Sequence, residues 1–189
     1  MSRILPNMSL GDDPTVKLRA LAHPLRLRIL SLLTGTAMTA ADVARELDLT
    51  HANASYHLRH LLAAGQIEVE GEEKIRGGVA KRYRHHAEAA FEAPRPKTPE
   101  DTGRAADHML MYEVLASELR RRSKALLRVP GNHLTDAELW VDPAVWAEVE
   151  EQVRQASRAL HRAAVAPRTP GAVRVNATIA LFRMEPDAK

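Results

Sequence analysis

Cysteine is absent from this 189-residue chain, which excludes disulfides, thiolate metal sites and cysteine nucleophiles. Aromatic residues make up only 4% of it, so alanine, leucine and valine must do most of the packing. No apolar run approaches the ~20 residues that a membrane-spanning helix needs. The start, MSRILPNMSL, lacks the charged and apolar regions of a signal peptide. A cytoplasmic protein without membrane contact is therefore expected.

Motifs of catalytic sites are missing as well. The chain has no glycine-rich phosphate loop, no GxSxG elbow and no HExxH helix. The adjacent His85 and His86 would point to opposite sides of a strand, so they do not easily share one metal ion. We therefore predict that the protein is not an enzyme and needs no cofactor. A zinc or nickel site of histidine and aspartate stays chemically allowed.

Charge is distributed unevenly along the chain, although the formal net charge is only +3. From Lys74 to His86 there are five basic residues and no acid, whereas from Asp136 to Glu151 there are six acids and no base. One part of the molecule is suited to a polyanion, and the other part would be repelled by it.

Helix signals begin near the N-terminus. Asp13 is a suitable cap for a helix that opens at Pro14 and stops near His23, because a residue before proline is pushed out of helical geometry. Pro24 can open the next helix, which ends at Gly35. The second of these helices carries Leu25, Ile29, Leu32 and Leu33 on one face.

A third and a fourth helix follow, separated by the short turn DLT. Thr39 and Asp42 can form a capping box for the third, and Thr50 caps the fourth, which Gly65 ends. The inner stripe of the fourth helix is Ala54, Leu58 and Leu61. His57 flanks that stripe and is expected to be partly buried and hydrogen-bonded. The opposite face carries His51, Asn53, Ser55, Tyr56 and Arg59.

A basic β-hairpin is predicted after this helix. The segments IEVEG and KRYRHH are typical of strands, joined by the loop EEKIRGGVA with a Gly77–Gly78 tip. A helix-turn-helix followed by such a hairpin is a winged helix. Its recognition helix, residues 50–64, would enter the major groove, and its wing, residues 67–86, would lie along the DNA backbone.

Three stretches carry a resemblance to a known family: LAHPLRLRILSLL, TAADVARELDLTHANASYHLRHLLAAGQIEVE and RGGVAKRYR. Over Val16–His86 the chain resembles the ArsR-type winged-helix transcriptional regulators. The resemblance implies a homodimer that binds double-stranded operator DNA, is nucleoid-associated when bound, and represses or activates nearby genes. The cysteine pairs with which many members sense metals have no counterpart here.

Candidate DNA contacts follow from the groove geometry and from the positions that match the family. Base contacts are predicted for His51, Asn53, Ser55 and Tyr56, with Asn53 best suited to a bidentate contact with adenine. Phosphate contacts are predicted for Thr50, Arg59, Lys74, Arg76, Lys81 and Arg82.

Beyond the wing, the sequence predicts a connector and a second unit. Residues 94–103 are proline-rich, and a long helix is expected from about Glu100 to Arg128 with an apolar side formed by Leu110, Met111, Val114, Leu115 and Leu119. Its basic run, Arg120 to Lys124, is interpreted as a solvated face in preference to a phosphate contact. AELWVD and VRVNATIALF alternate as strands around a helix that Pro143 opens. Trp140 and Trp146 bracket the first turn of this unit. Core packing explains them best, and a pocket for an unknown small-molecule effector is the alternative.

The predicted fold class is therefore mainly α with small β elements (α+β). Its parts are a winged helix-turn-helix domain at 1–93, the connector at 94–103, and a long helix with a small strand-helix-strand unit for dimerisation or effector binding at 104–189. The expected function is that of a sequence-specific, homodimeric transcriptional regulator, with repression favoured. A non-specific architectural DNA-binding protein and a protein-gripping interaction module are the alternatives.

Overall fold

A computed structural model describes residues 14–87 and 105–185. Those residues form six helices and a three-stranded antiparallel sheet of order β1-β3-β2. The helices are α1 Pro14–Leu21, α2 Pro24–Gly35, α3 Ala40–Leu47, α4 His51–Ala63, α5 Ala105–Ser123 and α6 Pro143–Arg162. The strands are β1 Met38–Thr39, β2 Glu68–Ile75 and β3 Gly78–Arg84. The α+β class and the winged helix are confirmed, whereas the cap at Asp13 and the connector at 94–103 lie outside the described residues.

The core of the winged helix is built from α2, α3 and α4. Ile29, Leu33, Val43, Leu58 and Leu61 are fully buried in it. Each such side chain contributes about 1.5–3 kcal/mol by leaving water. Burial on three helices at once fixes how α4 is presented to solvent.

The helix-turn-helix is set by local capping. The Thr39 hydroxyl accepts a hydrogen bond from the Asp42 amide at 3.2 Å, and the Asp42 carboxylate accepts one from the Thr39 amide at 3.0 Å. The predicted capping box is thus confirmed. α3 ends at Asp48, which adopts the left-handed conformation with φ 55°. The Thr50 hydroxyl then accepts from the Asn53 amide at 3.2 Å and starts α4.

The wing is a tighter hairpin than the sequence predicts. β2 and β3 pair as far as Ile75 opposite Gly78, so the predicted nine-residue loop is wrong and only Arg76 and Gly77 remain between the strands. Gly77 has φ +97°, a conformation that disfavours side chains. The sequence did not indicate the extra strand length, because the added residues of this exposed ribbon do not alternate between apolar and polar. The short β1, paired to β3 at Tyr83 and Arg82, was not predicted either.

α5 packs across α1 and α2, and it ends at Ser123 rather than near Arg128. The apolar side predicted for it is only partly right, because Val114 is buried but Leu110 and Leu119 are exposed. Two acids, Asp107 and Glu118, share the buried side with Val114.

Each buried acid of α5 has an arginine partner. Arg19 of α1 donates to Asp107 at 2.8 Å, and Arg121 donates to Glu118 at 2.7 Å. Burial alone would raise the pKa of Glu118, but the hydrogen bonds and charge of Arg121 outweigh burial and hold that pKa below its usual value. Ion pairing therefore allows an otherwise costly acidic face to dock.

The C-terminal half contains the predicted helix but neither predicted strand. α6 begins at Pro143, where the Asp142 carboxylate accepts from the Ala144 amide at 2.8 Å. Residues 137–142 and 173–182 belong to no strand in the described chain. An alternating segment becomes a strand only when a neighbour supplies ladder hydrogen bonds, and neither segment has such a neighbour among residues 14–87 and 105–185.

After α6 the chain returns to the winged helix. A Cβ at position 35 would overlap the carbonyl group of Val165, so only glycine allows the two backbones to approach this closely. Farther along, one nitrogen of the Arg168 guanidinium donates to both carboxylate oxygens of Glu46 on α3, at 2.6 and 2.9 Å. These contacts connect the C-terminal half to α2 and to α3, the first helix of the helix-turn-helix.

Candidate nucleic-acid interface

The outer face of α4 presents polar side chains close to its N-terminus. His51, Asn53 and Arg59 are exposed, Tyr56 is 50% exposed, and Ser55 is half-buried. The opposite face is held by the buried stripe of Ala54, Leu58 and Leu61. One side of α4 is thus fixed by packing, and the other side is polar with small side chains near the start of the helix. A helix of this form fits the major groove of DNA.

Tyr56 is oriented by its neighbours on the helix. Its ring lies 4.5 Å from that of His60 and 5.2 Å from that of His57, with edge-on geometry in both pairs. Such contacts restrict the tyrosine side chain and hold its phenol group outward. His60 is exposed beside Tyr56 and was not among the predicted contacts, although the i, i+4 spacing on the helix places the two together.

His57 lies beneath this face and is buried, as predicted, but its Nδ1 has no hydrogen-bond partner among the described residues. The predicted hydrogen bond is therefore not formed at that atom within the described part of the chain. Its ring lies 4.8 Å from that of His23, whose Nδ1 accepts from the Leu25 amide at 3.2 Å and so caps α2. Burial lowers the pKa of His57, and the positive charges that His23 and Arg26 can carry lower it further.

The pKa of His23 is lowered by burial first and by Arg26 second. Both rings are therefore held toward the neutral form where α2 meets α4. His23 was not singled out from the sequence, because nothing local indicates that it meets His57 thirty-four positions later.

The basic charge of the wing is concentrated at its tip. Lys74 and Arg76 are exposed there and adjoin the turn. Farther down, Lys81 lies directly opposite Glu72 in the strand register. The acids of β2 were not included in the basic run seen in the sequence, yet pairing of the strands places them against it.

Arg82 also makes hydrogen bonds within the domain. It donates to Glu73 at 2.8 Å and to the backbone carbonyl of Ala37. This guanidinium thus joins β3 to β2 and to the turn before β1. A phosphate contact of Arg82 stays a prediction.

The C-terminal half contains a cavity, but the tryptophans do not line it. A cavity of about 230 Å³ lies between α5, α6 and residues 177–179, with Leu115, Arg122 and Leu160 in its wall. Trp140 is 84% exposed and Trp146 is half-buried. An effector pocket at the two tryptophans stays a prediction.

Within 14–87 and 105–185, no group of three or more histidine, aspartate or glutamate side chains is arranged to hold a metal ion. No helix in these same ranges is long and apolar enough to cross a membrane.

Comparison with known proteins bears on the N-terminal part of the chain. A family described as a helix-turn-helix domain matches residues 21–70, which contain α2, β1, α3, α4 and the start of β2. No curated protein matches the chain. Residues 21–70 are thus a helix-turn-helix domain, and with the hairpin they form a winged helix of the kind found in DNA-binding regulators.

Proposed function

We propose that the protein is a sequence-specific transcriptional regulator of the ArsR type that binds operator DNA as a homodimer and acts as a repressor. The observation that carries this proposal is the outer face of α4, where exposed polar side chains surround the N-terminal turns of a helix fixed from behind. The basic tip of the wing lies on the same domain. Together they supply a reader of base edges and an anchor on phosphates.

Asn53 is the residue most suited to base recognition. It is exposed in the first turn of α4, and a carboxamide can bind adenine in a bidentate fashion. His51, Ser55 and Tyr56 flank it and contribute further contacts with base edges or thymine methyl groups, with His60 supporting Tyr56.

Phosphate contacts come from both ends of the interface. Thr50 can cap α4 and still contact DNA, because its hydroxyl accepts from Asn53 while keeping its own proton to donate. Arg59 lies along the helix, and Lys74 and Arg76 lie at the wing tip. Lys81 contributes less charge because Glu72 faces it.

The test compares Asn53→Ala with Lys74→Ala by fluorescence anisotropy on the DNA upstream of the protein's own gene and on a shuffled control, across a salt series. Asn53→Ala should reduce discrimination by about 1–3 kcal/mol and leave the salt slope unchanged. Lys74→Ala should weaken both DNAs alike and reduce the slope by about 1. If Asn53→Ala weakens both DNAs equally, the base-contact role is wrong.

The same titration separates the architectural alternative. Such a protein would bind both DNAs equally and release them together as salt rises. Its second anchor would be the basic run at the end of α5, but Arg121 and Arg122 in that run already pair with Glu118, at 2.7 and 3.5 Å. This pairing favours the specific regulator.

A further inference from the structure

The described residues leave most of the apolar stripe of α6 exposed. This 20-residue helix has none of its residues buried, and Val145, Val149 and Leu160 of the predicted stripe are all exposed. Most of the stability of a helix in a protein comes from packing of its apolar side, so an amphipathic helix of this kind requires a surface to pack against.

The segment 173–182 also has an apolar face that the described residues leave largely exposed. Its alternating face leaves Val173 82% exposed and Val175 68% exposed, with Ile179 and Leu181 also exposed. The segment belongs to no strand, so it has no ladder partner within the described chain. A period of two specifies one buried face, which a neighbouring chain can supply.

Charge identifies the neighbour that fits. Three basic residues, Arg120, Lys124 and Arg128, follow the packed part of α5, are exposed, and make no ion pair with the described residues. The acidic segment 136–151, with six acids and no base, lies just beyond them in sequence. The chain therefore carries both halves of a complementary charge pair.

We propose that a second copy of this chain covers these surfaces. The α6 stripes and the 173–181 faces of the two copies form the apolar centre, and the acidic segment of each copy faces Arg120, Lys124 and Arg128 of the other. In a two-fold dimer this charge contact occurs twice. The proposal rests on the proposed function, because it identifies the surface that holds two recognition helices at the spacing of a palindrome.

A charge exchange tests the contact. One variant carries Lys124→Glu and Arg128→Glu, and a second carries Asp136→Lys and Glu138→Lys. Each variant alone places like charges together, so self-association measured by sedimentation equilibrium should weaken by about tenfold or more. An equimolar mixture restores opposite charges at both contacts, and the mixed dimer should form about as tightly as wild type. Glu70→Lys, a change of the same sign on the exposed β2, is the control and should leave association unchanged.

Other results would overturn the proposal. If either variant alone remains dimeric like wild type, the proposed charge contact is wrong. The contact is also wrong if the mixture stays dissociated while each variant keeps the circular dichroism of wild type. A wild-type chain that stays monomeric would show that the cover is another molecule. A monomer that still prefers its upstream DNA would contradict the proposed interface but not sequence-specific binding. A dimer without that preference would support the interface and contradict the proposed function.

Discussion

The two halves of the molecule contain similar amphipathic patterns but use them differently. In the winged helix, the apolar positions of α2, α3 and α4 are buried against one another. In the C-terminal half, α6 buries none of its residues, and Leu134 is 92% exposed. An apolar pattern predicts that a face is buried, but it does not predict whether the same chain or another molecule buries that face.

The junction between the halves shows how they are connected. α5 meets the winged helix through Asp107 and Arg19, and the segment after α6 meets it through Val165 and through Arg168 bound to Glu46. These contacts are polar or depend on backbone shape. They fix the position of the C-terminal half but leave the apolar stripe of α6 largely exposed.

The largest expected difference between the halves concerns side-chain truncation. Leu58→Ala empties a fully buried site and should lower the free energy of unfolding by about 2–5 kcal/mol. Leu134→Ala, at an exposed site, should change it by no more than about 0.5 kcal/mol. Urea unfolding of both variants at low protein concentration measures the contrast. Equal losses would show that the C-terminal half has a core of its own.

The next effect concerns the junction at Gly35. Gly35→Ala places a methyl group against the backbone of Val165 and should cost about 1–3 kcal/mol, with faster hydrogen exchange over residues 164–169. Gly71→Ala is the control, because nothing lies within 4 Å of a Cβ there. If the segment does not dock, Gly35→Ala would instead stabilise α2 by about 1 kcal/mol through helix propensity.

A smaller effect is expected at the start of α3. Thr39→Ala removes the hydroxyl that caps the helix and should lower the free energy of unfolding by about 1 kcal/mol. Thr39→Ser keeps the hydroxyl and should recover most of that loss. Thermal unfolding of the two variants provides the measurement, and an alanine variant as stable as wild type would exclude a stabilising capping box.

The last effect is on pH dependence. Because the pKa of His23 and of His57 is lowered in the folded state, the unfolded chain binds more protons below about pH 6.5. With respect to these two histidines, the free energy of unfolding should thus be highest above that pH and should fall as the pH decreases. His57→Asn should flatten this fall, whereas His51→Asn, on the exposed face, should not. Equal profiles for the two variants would contradict the role of the buried pair.

Local sequence signals predicted the helices of the winged helix well, whereas contacts between distant segments could not be predicted. Thr39 with Asp42, Thr50 and Gly65 all act as the sequence indicates, because caps and stops depend on residues a few positions apart. The charge of the wing and the role of Arg82 depended on which residues β2 brings opposite β3. Pairing across a sheet is not visible in a single segment.

The C-terminal half shows the same limit more strongly. Its helix was predicted from Pro143 and its periodicity, but its strands needed a partner that the described part of the chain does not supply. In α5, the buried side contains Asp107 and Glu118 because arginines neutralise them, and an apolar stripe could not indicate that.

Hydroxyl-radical footprinting with and without the DNA upstream of the gene tests the central claim most directly. Tyr56 on α4 and Trp140 in the C-terminal half are reactive aromatic side chains, and both are exposed in the single chain, so each is a control for the other. We expect the DNA to reduce oxidation of Tyr56 strongly and to leave that of Trp140 unchanged. Protection of Trp140 with no change at Tyr56 would contradict the assignment of α4 as the helix that contacts DNA.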